Sequence, residues 1–183
     1  MTILLTHEHP DHTAGVPALR REFSVNLICQ RECARRIMEK RNNRLLALLP
    51  LARQGKRKEI SFYYHACPSE TILADETFDR EKRFQWHEHS VFMQAWPGHS
   101  PGSCGIKVDE NCIFTGDAMI PDSKVILRYP GASVEAYKHR TLPKLLSISE
   151  QTRIFPGHGM PCQYRELQYR EGMFQYRAGG GHR

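Results

Sequence analysis

The stretch Thr6-His7-Glu8-His9-Pro10-Asp11-His12 constrains this chain more than any other. Three imidazoles and the Asp11 carboxylate within six residues are costly to bury and wasteful to expose unless something binds them, and a metal ion is the usual partner. In extended or tightly turned backbone alternate side chains face the same way, so His7 and His9 can pinch one ion while Asp11 and His12 turn toward another. Two metals are therefore possible from one loop. Neutral imidazole nitrogen and hard carboxylate oxygen suit Zn2+, Fe2+ or Mn2+, and the absence of cysteine from the stretch argues against a thiolate site. The alternative is a solvated histidine-rich loop that chelates only adventitiously.

At 183 residues the chain is long enough for one domain with a real core and short for two. Its charge of +6 permits an anionic partner, but the basic residues are scattered and lack the aromatic interleaving of single-strand binders. No nucleic-acid partner is expected. The run Arg53-Gln54-Gly55-Lys56-Arg57-Lys58 reads as a solvated loop. Met1 to Leu5 is too short an apolar run for a signal peptide or a membrane span. The six cysteines are irregularly spaced, so reduced thiols in a cytoplasmic protein are expected, with Cys29 and Cys33 as packing residues.

Thr2 to Leu5 reads as a short buried strand that delivers the histidine loop. Gly15 and Pro17 start a helix to about Phe23 with Val16, Leu19 and Phe23 on one face, and Val25 to Cys29 is a second buried strand. This strand, helix, strand unit predicts an α/β layer arrangement. A helical pattern follows from Arg31 to about Arg53, ended or kinked by Pro50. Ser61 to Asp79 is ambiguous, with Phe62, Tyr63 and Tyr64 as core or pocket wall.

Beyond Phe84 the chain changes character. Phe84–His87, Ser90–Trp96, Cys104–Val108 and Cys112–Phe114 are short aromatic and β-branched runs between turn formers, the pattern of an antiparallel meander. Its loops carry Pro97-Gly98-His99-Ser100-Pro101-Gly102-Ser103 and Phe114-Thr115-Gly116-Asp117, a lone histidine and a lone aspartate flanked by glycines. His87 and His89 repeat the H-x-H spacing but read as exposed strand residues. A helix is expected from an N-cap at Ser133 to about Ser147, then a final strand over Arg153–Phe155 delivering Pro156-Gly157-His158-Gly159. An amphipathic helix around Tyr164 to Tyr176 and a flexible tail over residues 178–183 complete the expectation.

Thr-His-x-His-x-Asp-His with Gly15, then Gly-His-Ser-Pro-Gly-Ser, Thr-Gly-Asp and Pro-Gly-His-Gly, in that order, resemble the metallo-β-lactamase superfamily, nearest its glyoxalase-II-like hydrolases. The four motifs span nearly the whole chain. The resemblance implies an αβ/βα sandwich in which His7, His9 and His99 hold one metal, Asp11, His12 and His158 hold the second, and Asp117 bridges them. Two divalent ions, zinc first and iron or manganese next, would then ionise a water at neutral pH, because coordination lowers its pKa toward about 7. Asp11 is the expected catalytic residue, orienting the nucleophile and shuttling its proton. Thr6 and Ser103 support the ligands or simply make turn hydrogen bonds.

Members of that family place further strands before the histidine motif. The resemblance therefore implies one metallo-hydrolase domain over residues 1–183 that lacks part of its N-terminal sheet, with an apolar edge needing cover. A partner chain, a homo-oligomer or a longer product would each supply it. The substrate implied is a small molecule with a thioester, lactone or other ester-type bond. A phosphodiesterase or nuclease, a mononuclear iron persulfide dioxygenase and a non-catalytic metal-binding subunit remain the alternatives.

Overall fold

The computed structural model describes residues 1–39 and 71–177, and they fall into two compact units, Met1–Phe78 and Asp79–Arg183. No helix among the described residues is long and apolar enough to cross a membrane.

The first unit is built on a parallel sheet in the order β1-β2-β3, from β1 (Thr2–Leu4), β2 (Asn26–Gln30) and β3 (Glu76–Phe78). Leu27, Ile28 and Cys29 are all buried, as expected of the middle strand of a parallel sheet. Among the described residues β1 lies at the edge of the sheet and is partly exposed rather than buried: Ile3 packs only partly against the core, and Leu5, just beyond the strand, is buried in it. Helix α1 (Pro10–Thr13) follows the histidine loop, α2 (Val16–Glu22) crosses back to β2, and α3 (Arg31–Ile37) leaves it. The Gln30 side chain caps α3 by accepting from the Glu32 and Cys33 amides.

Leu5, Val16, Leu27, Cys29, Cys33, Ile37 and Ile72 form the core of this unit, so both cysteines pack as the sequence suggests. The expected apolar face of α2 does not form. Val16 and Pro17 are buried, but Leu19 is 38% and Phe23 55% exposed. Phe23 is the C-cap residue in extended backbone, which carries it off the helical face. Helix α3 ends at Ile37, with Met38 as its C-cap and Glu39 outside the helix, so the expected helix from Arg31 does not run unbroken to Arg53. The rest of the expected helix to Arg53, the basic run and residues 61–70 with their aromatic cluster lie outside the described residues, as does the tail.

The second unit carries the expected meander: β4 (Glu81–Trp86), β5 (His89–Ala95), β6 (Cys104–Val108) and β7 (Cys112–Gly116) pair antiparallel in sequence. β9 (Arg153–Pro156) then adds parallel to β7, and β10 (Cys162–Gln163) pairs antiparallel outside it, giving the order β10-β9-β7-β6-β5-β4. Ser133 caps a helical segment as expected, its Oγ accepting from the Ala136 amide. That segment runs through α4 (Val134–Ala136), a π-turn (Tyr137–Thr141) and α5 (Leu142–Leu146). Pro143 falls in the first turn of α5, where its missing N–H costs nothing.

The C-terminal region corrects the sequence reading. β9 is not the last strand, and the segment read as an amphipathic helix is a 3-10 turn (Tyr164–Glu166) followed by a hairpin of β11 (Leu167–Arg170) and β12 (Met173–Tyr176). β12 also pairs with the short β8 (Ser123–Lys124). The hairpin turns on Glu171 and Gly172, both at positive φ (50° and 82°), the backbone of a two-residue turn that matches strand twist. Gly172 pays no steric penalty there, and alternation of Leu167, Tyr169 and Phe174 across the pair replaces helical periodicity. Leu167 and Phe174 join Trp96, Ile113, Met119, Tyr137, Leu145 and Ile154 in the core of this unit.

Candidate metal centre

Each unit carries part of the ligand set expected from the sequence. In the first, the chain leaves β1 and turns so that His9 immediately precedes α1, with Pro10 in the first turn of that helix. The His9 carbonyl accepts from the His12 amide (3.0 Å) and the Thr13 hydroxyl (3.2 Å), which ties the loop to α1. The His7 ring lies 4.7 Å from that of His9 and 4.1 Å from that of His12, measured between centroids. His7 and His9 present ring nitrogens within 4.8 Å of one another, and Asp11 and His12 present a carboxylate oxygen and a ring nitrogen 3.6 Å apart.

His7 and His9 are buried while Asp11 is exposed. Thr6 Oγ1 lies 3.2 Å from His7 Nδ1, so Thr6 contacts a ligand candidate directly. Glu8, between the two histidines, turns the other way. It is 7% exposed and ion-paired through Oε1 with Arg36 Nε of α3 at 3.5 Å, an arrangement the motif alone does not announce.

In the second unit, topology does the gathering. β5 and β7 are both antiparallel to β6, and β9 is parallel to β7, so the carboxyl ends of β5, β7 and β9 open at one end of the sheet. His99, Asp117 and His158 each sit in the loop just beyond one of those ends. Asp117 Oδ2 lies 3.5 Å from His99 Nε2 and 3.6 Å from His158 Nε2. Gly116, at φ 51°, makes the turn that places Asp117, and its carbonyl accepts from the Gly157 amide (2.9 Å), linking the loops that carry Asp117 and His158. His99 and Asp117 are buried and His158 is exposed.

The tautomer of His99 follows from its other contact. Nδ1 lies 3.0 Å from the Ile126 carbonyl oxygen, which can only accept, so Nδ1 carries a proton and Nε2 is the ring nitrogen that faces Asp117. This fits the chemistry of the donor set. Imidazole nitrogens and carboxylate oxygens without thiolate suit a borderline divalent cation. Ser103 makes turn hydrogen bonds with Ser100 (Oγ to Oγ 2.8 Å) and so fixes the His99 loop rather than touching a ligand. His87 and His89 stand apart from this set. His87 occupies the loop between β4 and β5, and His89 Nδ1 pairs with Asp109 Oδ2 at 2.7 Å.

Three contributors escaped the sequence: the Ile126 carbonyl, Arg36, and Tyr137, whose hydroxyl donates to the Ala118 carbonyl beside Asp117. A backbone carbonyl leaves no signature in a sequence, and the two side chains are distant in the chain from what they contact.

Residues 1–158 match the profile of the metallo-beta-lactamase superfamily, and the chain belongs to that superfamily of metal-dependent hydrolases. Among curated proteins it is 24% identical over 169 residues to Glyoxylase B2 of Dictyostelium discoideum, covering 91% of this chain and 52% of that protein. It is 26% identical over 160 residues to the hydroxyacylglutathione hydrolase GloC of Haemophilus influenzae, covering 86% and 68%. The chain thus spans about half the length of the first relative and about two thirds of the second. Among solved structures it resembles BLEG-1 B3 metallo-beta-lactamase (TM-score 0.66, 24% identity, 89% of this chain and 71% of that one). It also resembles TTHA1623 in a di-iron-bound form (TM-score 0.60, 26% identity, 88% and 71%). These likenesses show the metallo-β-lactamase fold, an α/β architecture, as the four motifs imply.

Proposed function

We propose that residues 1–183 act as one dinuclear metal-dependent hydrolase of a small-molecule thioester, lactone or other ester-type bond. In this reading His7, His9 and His99 hold one divalent ion, Asp11, His12 and His158 hold the second, and Asp117 bridges the two. The observation that carries it is the convergence of His99 Nε2 and His158 Nε2 on one oxygen of Asp117, from loops beyond three strand ends. A carboxylate facing two imidazoles has the charge and the two lone-pair directions that a bridge between cations needs. The names of Glyoxylase B2 and GloC favour the thioester among the three bonds.

Zinc is the first candidate for both positions, with iron or manganese next. When bound, such ions supply Lewis acidity and a hydroxide nucleophile at neutral pH. The protein's own part is orientation and proton transfer. Asp11, exposed beside His12, is placed to accept a proton at its carboxylate oxygen and pass it on, while the Ile126 carbonyl keeps the His99 proton on Nδ1.

We further propose a cytoplasmic location and an associated partner chain or second copy along β1, which among the described residues pairs with β2 alone. A monodisperse monomer by light scattering at neutral pH would count against the latter. The hydrolase reading is tested by metal analysis after reconstitution, followed by a panel of thioester, lactone and bis-phosphodiester substrates. Two ions per chain with thioester or lactone turnover, abolished in Asp11→Asn, is the expected result. Oxygen consumption with a single iron, or bound metal without any turnover, would overturn it.

A further inference from the structure

Tyr137 opens the π-turn between α4 and α5, and it is 3% exposed. Its hydroxyl donates to the Ala118 carbonyl oxygen at 3.0 Å, and its backbone and Cβ lie against Gly98 so tightly that a Cβ on Gly98 would stand 2.5–2.9 Å from them. Gly98 precedes His99 in the chain, and Ala118 follows Asp117. One side chain therefore touches the neighbour of each of two ligand candidates, whose own atoms face one another at 3.5 Å.

The rest of the segment acts on the same loop. Thr141 Oγ1 donates to the Pro97 carbonyl (2.7 Å), Lys144 Nζ to the Ala95 carbonyl (2.8 Å), and the Gly98 carbonyl accepts from the Ser133 amide (2.8 Å). Tyr137, Thr141 and Lys144, at spacings of four and three residues, lie on one side of the segment. Such a widened turn inside a helix is uncommon and recurs at functional sites. Burial pushes the Tyr137 phenol far above its ordinary value, so the hydroxyl remains a donor at every working pH.

We propose that Tyr137 is a positioning residue: its bond to Ala118 and its contact with Gly98 set the separation of His99 from Asp117, and hence the fit of that pair to a divalent cation. The inference rests on the metal reading above, but it concerns the chain's own geometry and is open to measurement with and without metal.

The test compares Tyr137→Phe with Tyr164→Phe. Tyr164 makes a bond of the same kind in the same core, its hydroxyl donating to Leu145 O at 2.8 Å, but to α5 rather than to a ligand loop. Cobalt(II) is titrated into each protein and followed by its visible absorption, and the His99 ring nitrogens are followed by NMR in metal-free protein. Tyr137→Phe is expected to weaken cobalt binding by about tenfold or more, to shift the visible band and to move the His99 resonances. Tyr164→Phe is expected to lower thermal stability comparably while leaving all three readouts at the parent values.

A Tyr137→Phe protein that loses thermal stability yet keeps the parent affinity, spectrum and His99 resonances would overturn the proposal. Should that variant not fold, Thr141→Val removes the bond to Pro97 from the same side and is expected to move the same readouts; unchanged values there would overturn it equally. A parent protein that takes up no cobalt would refute the metal reading instead, and the metal-free His99 resonances would then decide the positioning role by themselves.

Discussion

Gly98 lies so close to Tyr137 that a methyl group built on it would stand 2.5 Å from the tyrosine Cβ. The contact is with backbone and Cβ atoms, which cannot swing aside, and the glycine holds φ at +149°, where an L side chain is strained. The helical segment can therefore press directly on the loop that carries His99 only because this position has no side chain.

Gly98→Ala is accordingly expected to destabilise the protein by about 3 kcal/mol or more, from overpacking and backbone strain together. Gly159→Ala provides the contrast. That residue also has positive φ, +89°, but nothing lies within 4 Å of the added methyl, so the expected cost is about 1 kcal/mol. Urea denaturation of both variants measures the difference, and equal costs would show that steric contact at Gly98 contributes nothing.

Asp117→Ala is expected to remove the shared acceptor of His99 and His158 and to reduce the metal content of reconstituted protein by at least one ion per chain, measured by elemental analysis. Chelation of the parent protein is expected to lower its thermal midpoint as well. A ligand present at a hundredfold its dissociation constant stabilises the folded state by about 2.7 kcal/mol, and that contribution leaves with it. A midpoint unmoved by chelator would contradict metal loading of the folded state.

Arg36→Ala is expected to cost about 2 kcal/mol, because it removes a cation beside a carboxylate that is 7% exposed. Glu8 stands between His7 and His9, so the variant is also expected to take up metal more weakly than the parent. Arg36→Lys keeps the charge and loses the planar fork, and only partial recovery is expected. Thermal melts with and without added zinc separate the two effects.

The His89–Asp109 pair gives a pH signature away from the candidate centre. The hydrogen bond to Asp109, and then its charge, raise the His89 pKa above its ordinary 6.5, while the bond to His89 and the Ser90 amide lower that of Asp109 below 3.8. The raised histidine contributes stability that is complete below about 6.5 and is lost as pH climbs through its folded value. The lowered aspartate contributes stability that is present above about 3.8 and is lost as pH falls through its folded value. Both contributions coexist between those limits. An NMR titration is expected to place the His89 midpoint above 6.5, and Asp109→Asn is expected to bring it back toward that value. Both groups are solvent-exposed, so added salt is expected to shrink the difference.

Much of the architecture was legible because it rests on local pattern. The meander from β4 to β7 follows from alternation between turn formers, the Ser133 cap from one hydroxyl before a helical run, and β1-α2-β2 from apolar runs broken by Gly15 and Pro17. The segment from Leu167 to Tyr176 was misread for an equally local reason. Its apolar residues fit both periods, and Glu171-Gly172 is a weaker turn signal than Asn-Gly, so pairing with β8 and burial of Phe174 decided in favour of a hairpin. The α2 face failed because Phe23 lies in extended backbone, which periodicity does not report.

The sequence by itself determined which side chains are able to bind a metal and the order in which strand ends present them, because donor chemistry and turn residues are properties of short stretches. Only the tertiary structure decided that His99 and His158 meet on one oxygen of Asp117, that Ile126 sets the tautomer of His99, and that Tyr137 spans the two loops. Those relations join residues 18 to 59 positions apart, through backbone carbonyls, a π-turn and the crossing of β9 to the side of β7. Distances of that kind are fixed by chain packing, and no single stretch encodes them.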